Sequence, residues 1–116
     1  MTQNSTQTTW AAVLGALAVI LGAFGAHGLK ATLELHQTAA IWQTAAQYHL
    51  VHAGVLLALG LAGFSTWGWR LMATGVLIFS GTLYVLSVTG IKWLGAVTPI
   101  GGVCLIVGWA LVAVRR

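Results

Sequence analysis

Acidic residues are almost missing from this chain: Glu34 stands alone among 116 residues, against five Lys and Arg. Charged residues make up 5% of the whole, where a soluble domain carries roughly a quarter to keep its surface wet. Cysteine and proline each occur once, as Cys104 and Pro99. One cysteine excludes an intrachain disulfide and leaves the redox compartment unread. One proline, set at the start of an apolar stretch, means that no helix is broken internally. No HExxH pattern, cysteine pair or nucleophile-base-acid set is complete, so neither an enzyme nor a metal or other cofactor is expected. The basic residues lie scattered at the edges of apolar stretches. A nucleic-acid partner would need them clustered on an exposed face, and is excluded.

What the chain has in excess is apolar sequence: 59% of its residues are hydrophobic. They gather in four stretches free of Asp, Glu, Lys and Arg: Trp10 to Ala26, Ile41 to Phe64, Leu71 to Thr89 and Ala96 to Val114. A helix needs about 20 mostly apolar residues to cross a hydrocarbon core of ~30 Å. The expected fold is therefore all-α, an integral membrane four-helix bundle of one domain (10–116), with spans near 10–27, 38–64, 71–90 and 97–114. The polar segment Met1 to Thr9 is expected to be a disordered tail. It carries no basic residue of a signal-peptide n-region, so the first stretch reads as a retained span.

The connections separate two kinds of loop. Ser65 to Arg70 and Gly90 to Gly95 are short and force antiparallel neighbours. His27 to Ala40 is longer, contains Glu34 and reads as an interfacial helical segment between spans one and two. Arg70, Arg115 and Arg116 fall on one side of the membrane, Lys30 and Lys92 on the other. The positive-inside rule then places both termini in the cytoplasm. Trp10, Trp67, Trp69 and Trp93 stand at span ends, where indoles settle at headgroup level.

Small residues supply packing between helices in lipid, because backbones must approach closely there. Ala11, Gly15, Ala18, Gly22 and Gly25 form a seam along span one. Ala39, Ala46, Ala53 and Gly60 recur every seventh position in span two, and Gly101, Cys104 and Gly108 repeat the three-four spacing in span four. Packing within the chain is the reading for span one; contact within a homo-oligomer or a larger membrane complex stays open for span four.

Polar groups inside hydrocarbon need partners and are the candidates for chemistry. Thr44, Tyr48 and His52 form a stripe on span two, with His49 beside it; Ser80, Tyr84 and Ser87 form one on span three. With His27 and Lys30 closing span one, the candidate ligand or proton-path residues are His27, Lys30, Tyr48, His52, Ser80 and Tyr84. His49 and His52, three residues apart, carry only a weak metal signal. At the head of span four, Thr98 suits an N-cap and Pro99 the first helical position. Free amides there could hold an anion, although a plain capped start is the reading favoured.

Taken together, Leu21-Gly22-Ala23-Phe24-Gly25-Ala26-His27-Gly28-Leu29-Lys30, Trp42-Gln43-Thr44-Ala45 with Tyr48 and His52-Ala53, Phe79-Ser80-Gly81-Thr82-Leu83-Tyr84, Thr98-Pro99-Ile100-Gly101-Gly102 and Gly108-Trp109 resemble a known series. It is that of the small membrane family catalogued as domain of unknown function 423, related to the transmembrane protein 256-like proteins. The resemblance covers nearly the whole chain. It implies a multi-span protein, in bacteria of the inner membrane, with motif positions at His27, Lys30, Tyr48, His52, Ser80, Tyr84 and Pro99. It implies less for His49, where members often carry another polar residue such as Gln, and it supplies no reaction. The expected function is non-enzymatic: binding or passing a small solute, proton or lipid group through the polar cluster. The alternative is an accessory subunit in which the same polar stripes act as glue.

Overall fold

The structure, a computed structural model, describes residues 4–114. Among them all regular elements are helical: α1 (Ser5–Ala26), α2 (Lys30–His36), α3 (Ala39–Ala62), α4 (Thr66–Thr89), a 3-10 turn (Lys92–Ala96) and α5 (Thr98–Ala113). Four segments are long and apolar enough to cross a membrane: Ser5–Ala26, Ala39–Ala62, Thr66–Thr89 and Lys92–Ala113. The bundle is 49 Å long, which exceeds the ~30 Å hydrocarbon core, so its ends lie at headgroup level. Its outer surface is what lipid requires: Ile106 is 70% and Leu77 61% exposed. Large apolar side chains are exposed along all four spans, which would be costly in water.

Local chemistry sets the helix ends. The Asn4 side chain accepts the Gln7 N–H at 3.1 Å and starts α1 a full turn before Trp10. The expected disordered tail is therefore corrected: from Ser5 onward it is helix, with Gln7 buried, while Met1 to Gln3 lie outside the described residues. Ser65 caps α4 in the same way, accepting from Gly68 N–H at 3.3 Å. The link between α3 and α4 thus shrinks to Gly63–Ser65, and Trp67 to Arg70 become the first turn of α4. This removes Trp69 from the interfacial set. Its ring is buried and its Nε1 donates to the Leu56 carbonyl at 3.0 Å, while Trp10, Trp67 and Trp93 stay exposed. Gly63 and Gly90 close α3 and α4 with φ of 70° and 71°, a conformation that costs glycine nothing. The expected segment between spans one and two is the short helix α2. Thr98 opens α5 but does not cap it; its hydroxyl turns to Thr82 Oγ1 at 2.7 Å and to the Leu94 carbonyl at 3.2 Å.

The closest helix pairs are α1 with α3, α3 with α4, and α4 with α5. The core they enclose is Ala11, Leu56, Trp69, Met72, Val76 and Leu105, near the end that holds the α3–α4 link. The tightest approach is between α4 and α5. A Cβ added to Gly75 would lie 2.9 Å from Leu105 N and 3.0 Å from the Gly101 carbonyl, and one added to Gly101 would run into the Phe79 backbone. Gly108 sits 3.2 Å from Met72 Cβ by the same measure. The small-residue face of span four is thereby occupied within the chain. In span one, Ala11 and Ala18 are buried and Gly15 faces Ala53. Gly25 is covered by the Trp42 indole. Gly22 departs from the expected seam, since an added Cβ there would meet nothing within 4 Å. Of the span-two residues, Ala53 is buried and Ala46 half-buried.

Candidate functional site

On α3 the buried positions are Trp42, Ala45, His49, His52, Ala53, Leu56 and Gly60, the three-four rhythm of one helical face. Tyr48 is exposed, and so is Thr44, the other expected member of the stripe. The reason is local. The Thr44 hydroxyl donates to its own helix at the Ala40 carbonyl, 3.0 Å away, and so needs no partner helix. Tyr48 lays its ring on Phe79, with centroids 4.7 Å apart, and keeps its phenol at the surface.

The α4 stripe faces α3 with two of its hydroxyls, while the Ser87 hydroxyl turns back to its own helix at the Leu83 carbonyl, 2.7 Å away. Ser80 Oγ donates to the Ala45 carbonyl at 2.8 Å. Tyr84 Oη lies 2.9 Å from His49 Nδ1. The Ser87 carbonyl accepts from Thr38 Oγ1 at 2.6 Å. The partner of Tyr84 is therefore His49, not His52. The Tyr84 ring is clamped by the Trp42 indole, centroids 4.6 Å apart, and Trp42 Nε1 itself donates to the Leu21 carbonyl at 2.9 Å. A chain of contacts thus ties α1, α3 and α4 at one level.

The two histidines share the buried face of α3 but turn to different neighbours, His49 to α1 and α4 and His52 to α5. His52 Nδ1 lies 2.7 Å from the Tyr48 carbonyl and its Nε2 accepts the Trp109 indole N–H at 3.0 Å. A carbonyl can only accept and an indole N–H can only donate, so the partners assign the neutral tautomer with its proton on Nδ1. Both ring nitrogens are then satisfied. His49 is different. Its Nε2 is buried with no hydrogen-bond partner of good geometry, and the Leu14 carbonyl of α1 faces the ring. A carbonyl opposite that edge favours a proton on Nε2, which makes Tyr84 the donor to Nδ1. Since the two imidazoles diverge, they do not share a metal ion. Among the described residues no group of three or more His, Cys, Asp or Glu could hold one.

Between α1 and α4, which are not a close pair, runs a lateral crevice with a cavity of about 170 Å³. Leu14, Leu17 and Leu21 form one wall, Val76, Leu77 and Gly81 the other, and His49, Ser80 and Tyr84 its floor, with their polar atoms turned to one another and to α3 so that the crevice surface is almost wholly apolar. His27 and Lys30 do not join this floor. Both are exposed at the opposite end from the α3–α4 link. His27 lies in a shallow hollow with Phe24, and Lys30 in another with Glu34 and Gln43. Of the expected cluster, Ser80 and Tyr84 come together, His52 and Tyr48 turn to the α5 side, and His49 completes the site. The signal that would have found His49 is its register with Trp42, Ala45 and Ala53.

Residues 21–102 match the family described as a protein of unknown function, DUF423. The chain is 45% identical to the UPF0382 membrane protein YwdK of Bacillus subtilis over 114 residues, covering 88% of this chain and 91% of that one. It is 44% identical to a UPF0382 membrane protein of Staphylococcus saprophyticus, covering 88% and 92%. With one from Staphylococcus aureus it shares 41%, covering 88% and 90%. No solved structure matches it. Four apolar spans, the aromatic and glycine positions that pack them, and these relatives together make the chain a membrane protein of the DUF423 family.

Proposed function

We propose that the protein is a non-enzymatic lipid-binding protein of the bacterial plasma (inner) membrane, with both termini cytoplasmic, and that it holds part of a lipid in the α1–α4 crevice. One observation carries this reading. His49, whose Nε2 is buried and meets the Leu14 carbonyl without a well-formed hydrogen bond, stands at the floor of a crevice walled by leucines, beside Tyr84 and Ser80. An unsatisfied polar group in hydrocarbon is costly, and a lipid ester or hydroxyl entering sideways would satisfy it while its chain lies along the leucines. Binding is favoured over passage because the polar groups do not line up. His52 is engaged on both nitrogens and Tyr48 lies on the other face.

Native mass spectrometry of the detergent-purified protein tests this. The parent should retain a lipid, and Leu17→Trp, which fills the crevice, should lose it while melting at the parent's temperature. Equal retention by the two would place the lipid elsewhere and end the proposal.

The alternative, an accessory subunit with polar residues as glue, draws support from Ser80–Ala45 and His52–Trp109, both satisfied within the chain. Under it, neither protein retains lipid, and a partner co-purifies.

A further inference from the structure

Gln7 is 4% exposed, and neither its Oε1 nor its Nε2 has a hydrogen-bond partner among the described residues. A glutamine at the end of a membrane span normally reaches outward to water or headgroups. Here it is held down because Gly60 lets α1 close on α3. An added Cβ at Gly60 would lie 3.3 Å from Gln7 Cβ, and the Asn4 N–H donates to the Gly60 carbonyl at 2.9 Å. The side chain borders a cavity of about 460 Å³ at the end of the bundle holding the α3–α4 link. Thr6 and Trp10 of α1 line one side; Thr66, Trp69 and Arg70 of α4 line the other.

Arg70 is the one charged side chain among the described residues that line this cavity, although α3 and α5 also end on this side with the negative ends of their dipoles. Arg70 supplies a full positive charge, and α1 and α4 both begin here, directing the positive ends of their dipoles to the same place. The only acid, Glu34, lies at the opposite end, in α2. The buried amide offers two further donors. The size falls in the range of about 300–1,000 Å³ typical of small-molecule sites. Exposed Trp10 at the rim has the amphipathic indole found at headgroup level.

We infer that this cavity binds the phosphodiester headgroup of an anionic phospholipid, with Arg70 holding the phosphate and Gln7 and the threonine hydroxyls holding its polar substituent. A lipid is favoured over free phosphate by position. The cavity and the leucine crevice lie along the same α1–α4 side, so a chain descending from the headgroup enters the crevice. That descent rests on the function proposed above; the headgroup site rests on Gln7 and Arg70 alone.

The test offers the full-length protein equal amounts of phosphatidylglycerol and phosphatidylcholine in detergent and reads retention by native mass spectrometry. The parent should prefer phosphatidylglycerol by about fivefold, the discrimination that roughly one basic residue at a charged surface supplies. Arg70→Gln should abolish the preference, Arg70→Lys should keep most of it, and Gln7→Leu should weaken retention of phosphatidylglycerol. Millimolar inorganic phosphate should displace nothing. Leu17→Trp should lower retention of both lipids without changing their ratio, so failure of the crevice and failure of the headgroup site read differently. Equal retention of the two lipids by the parent, an unchanged preference in Arg70→Gln, or displacement by inorganic phosphate would overturn the inference.

Discussion

The Trp109 indole donates to His52 Nε2 at 3.0 Å, joining the second of the two buried histidines to the last tryptophan of the chain. It is a side-chain bond between α3 and α5, helices that are not a close pair, and it is backed by the His52 contact to the Tyr48 carbonyl. Trp109→Phe and His52→Leu should each destabilise the protein in detergent. The double variant should reveal a coupling of about 0.6 kcal/mol, the size usual for polar contacts between membrane helices. A thermal-melting cycle with no coupling would show that the bond contributes nothing to the fold.

Tyr84→Phe tests the other histidine. It would leave His49 Nδ1 buried without its partner, with only the poorly aligned Leu14 carbonyl at Nε2, and burying such a group costs about 1–3 kcal/mol. His49→Phe with Tyr84→Phe should be less damaging than the sum of the two single changes, because the pair is then apolar on both sides. Strictly additive melting temperatures would count against the contact.

Two glycines should respond in opposite ways. Gly101→Ala forces a methyl into the Phe79 backbone, and overpacking of this kind costs about 1–3 kcal/mol. Gly22→Ala meets open space and should melt within experimental error of the parent. The sequence alone would have chosen Gly22 as the sensitive position. Similar losses for both variants would mean that α1 and α5 pack otherwise.

Topology follows from the four spans. A reporter fused after Arg116 and one inserted within Leu33 to Thr38 should lie on opposite membrane faces, the first in the cytoplasm. Identical answers from the two would require an even number of spans between them, where the structure has three.

The number of spans, their approximate ends and the membrane as solvent were determined by the sequence alone. Long apolar stretches with five basic residues at their edges have no other economical fold. That Ser80 and Tyr84 turn toward a neighbour was also legible from their spacing on one span, whereas the Ser87 hydroxyl bonds to its own helix. Which face of α3 they meet was not. In a soluble helix the apolar face marks the core, but in lipid both the packed and the exposed faces are apolar. Polar residues then become the only guide, and Thr44 and Tyr48 mislead: one bonds to its own helix, the other is at ease at the surface. The burial of Gln7, the indole over Gly25 and the Gly75–Gly101 approach depend on how closely two backbones come together. Tertiary packing alone decides that distance, because it depends on residues brought together from different helices.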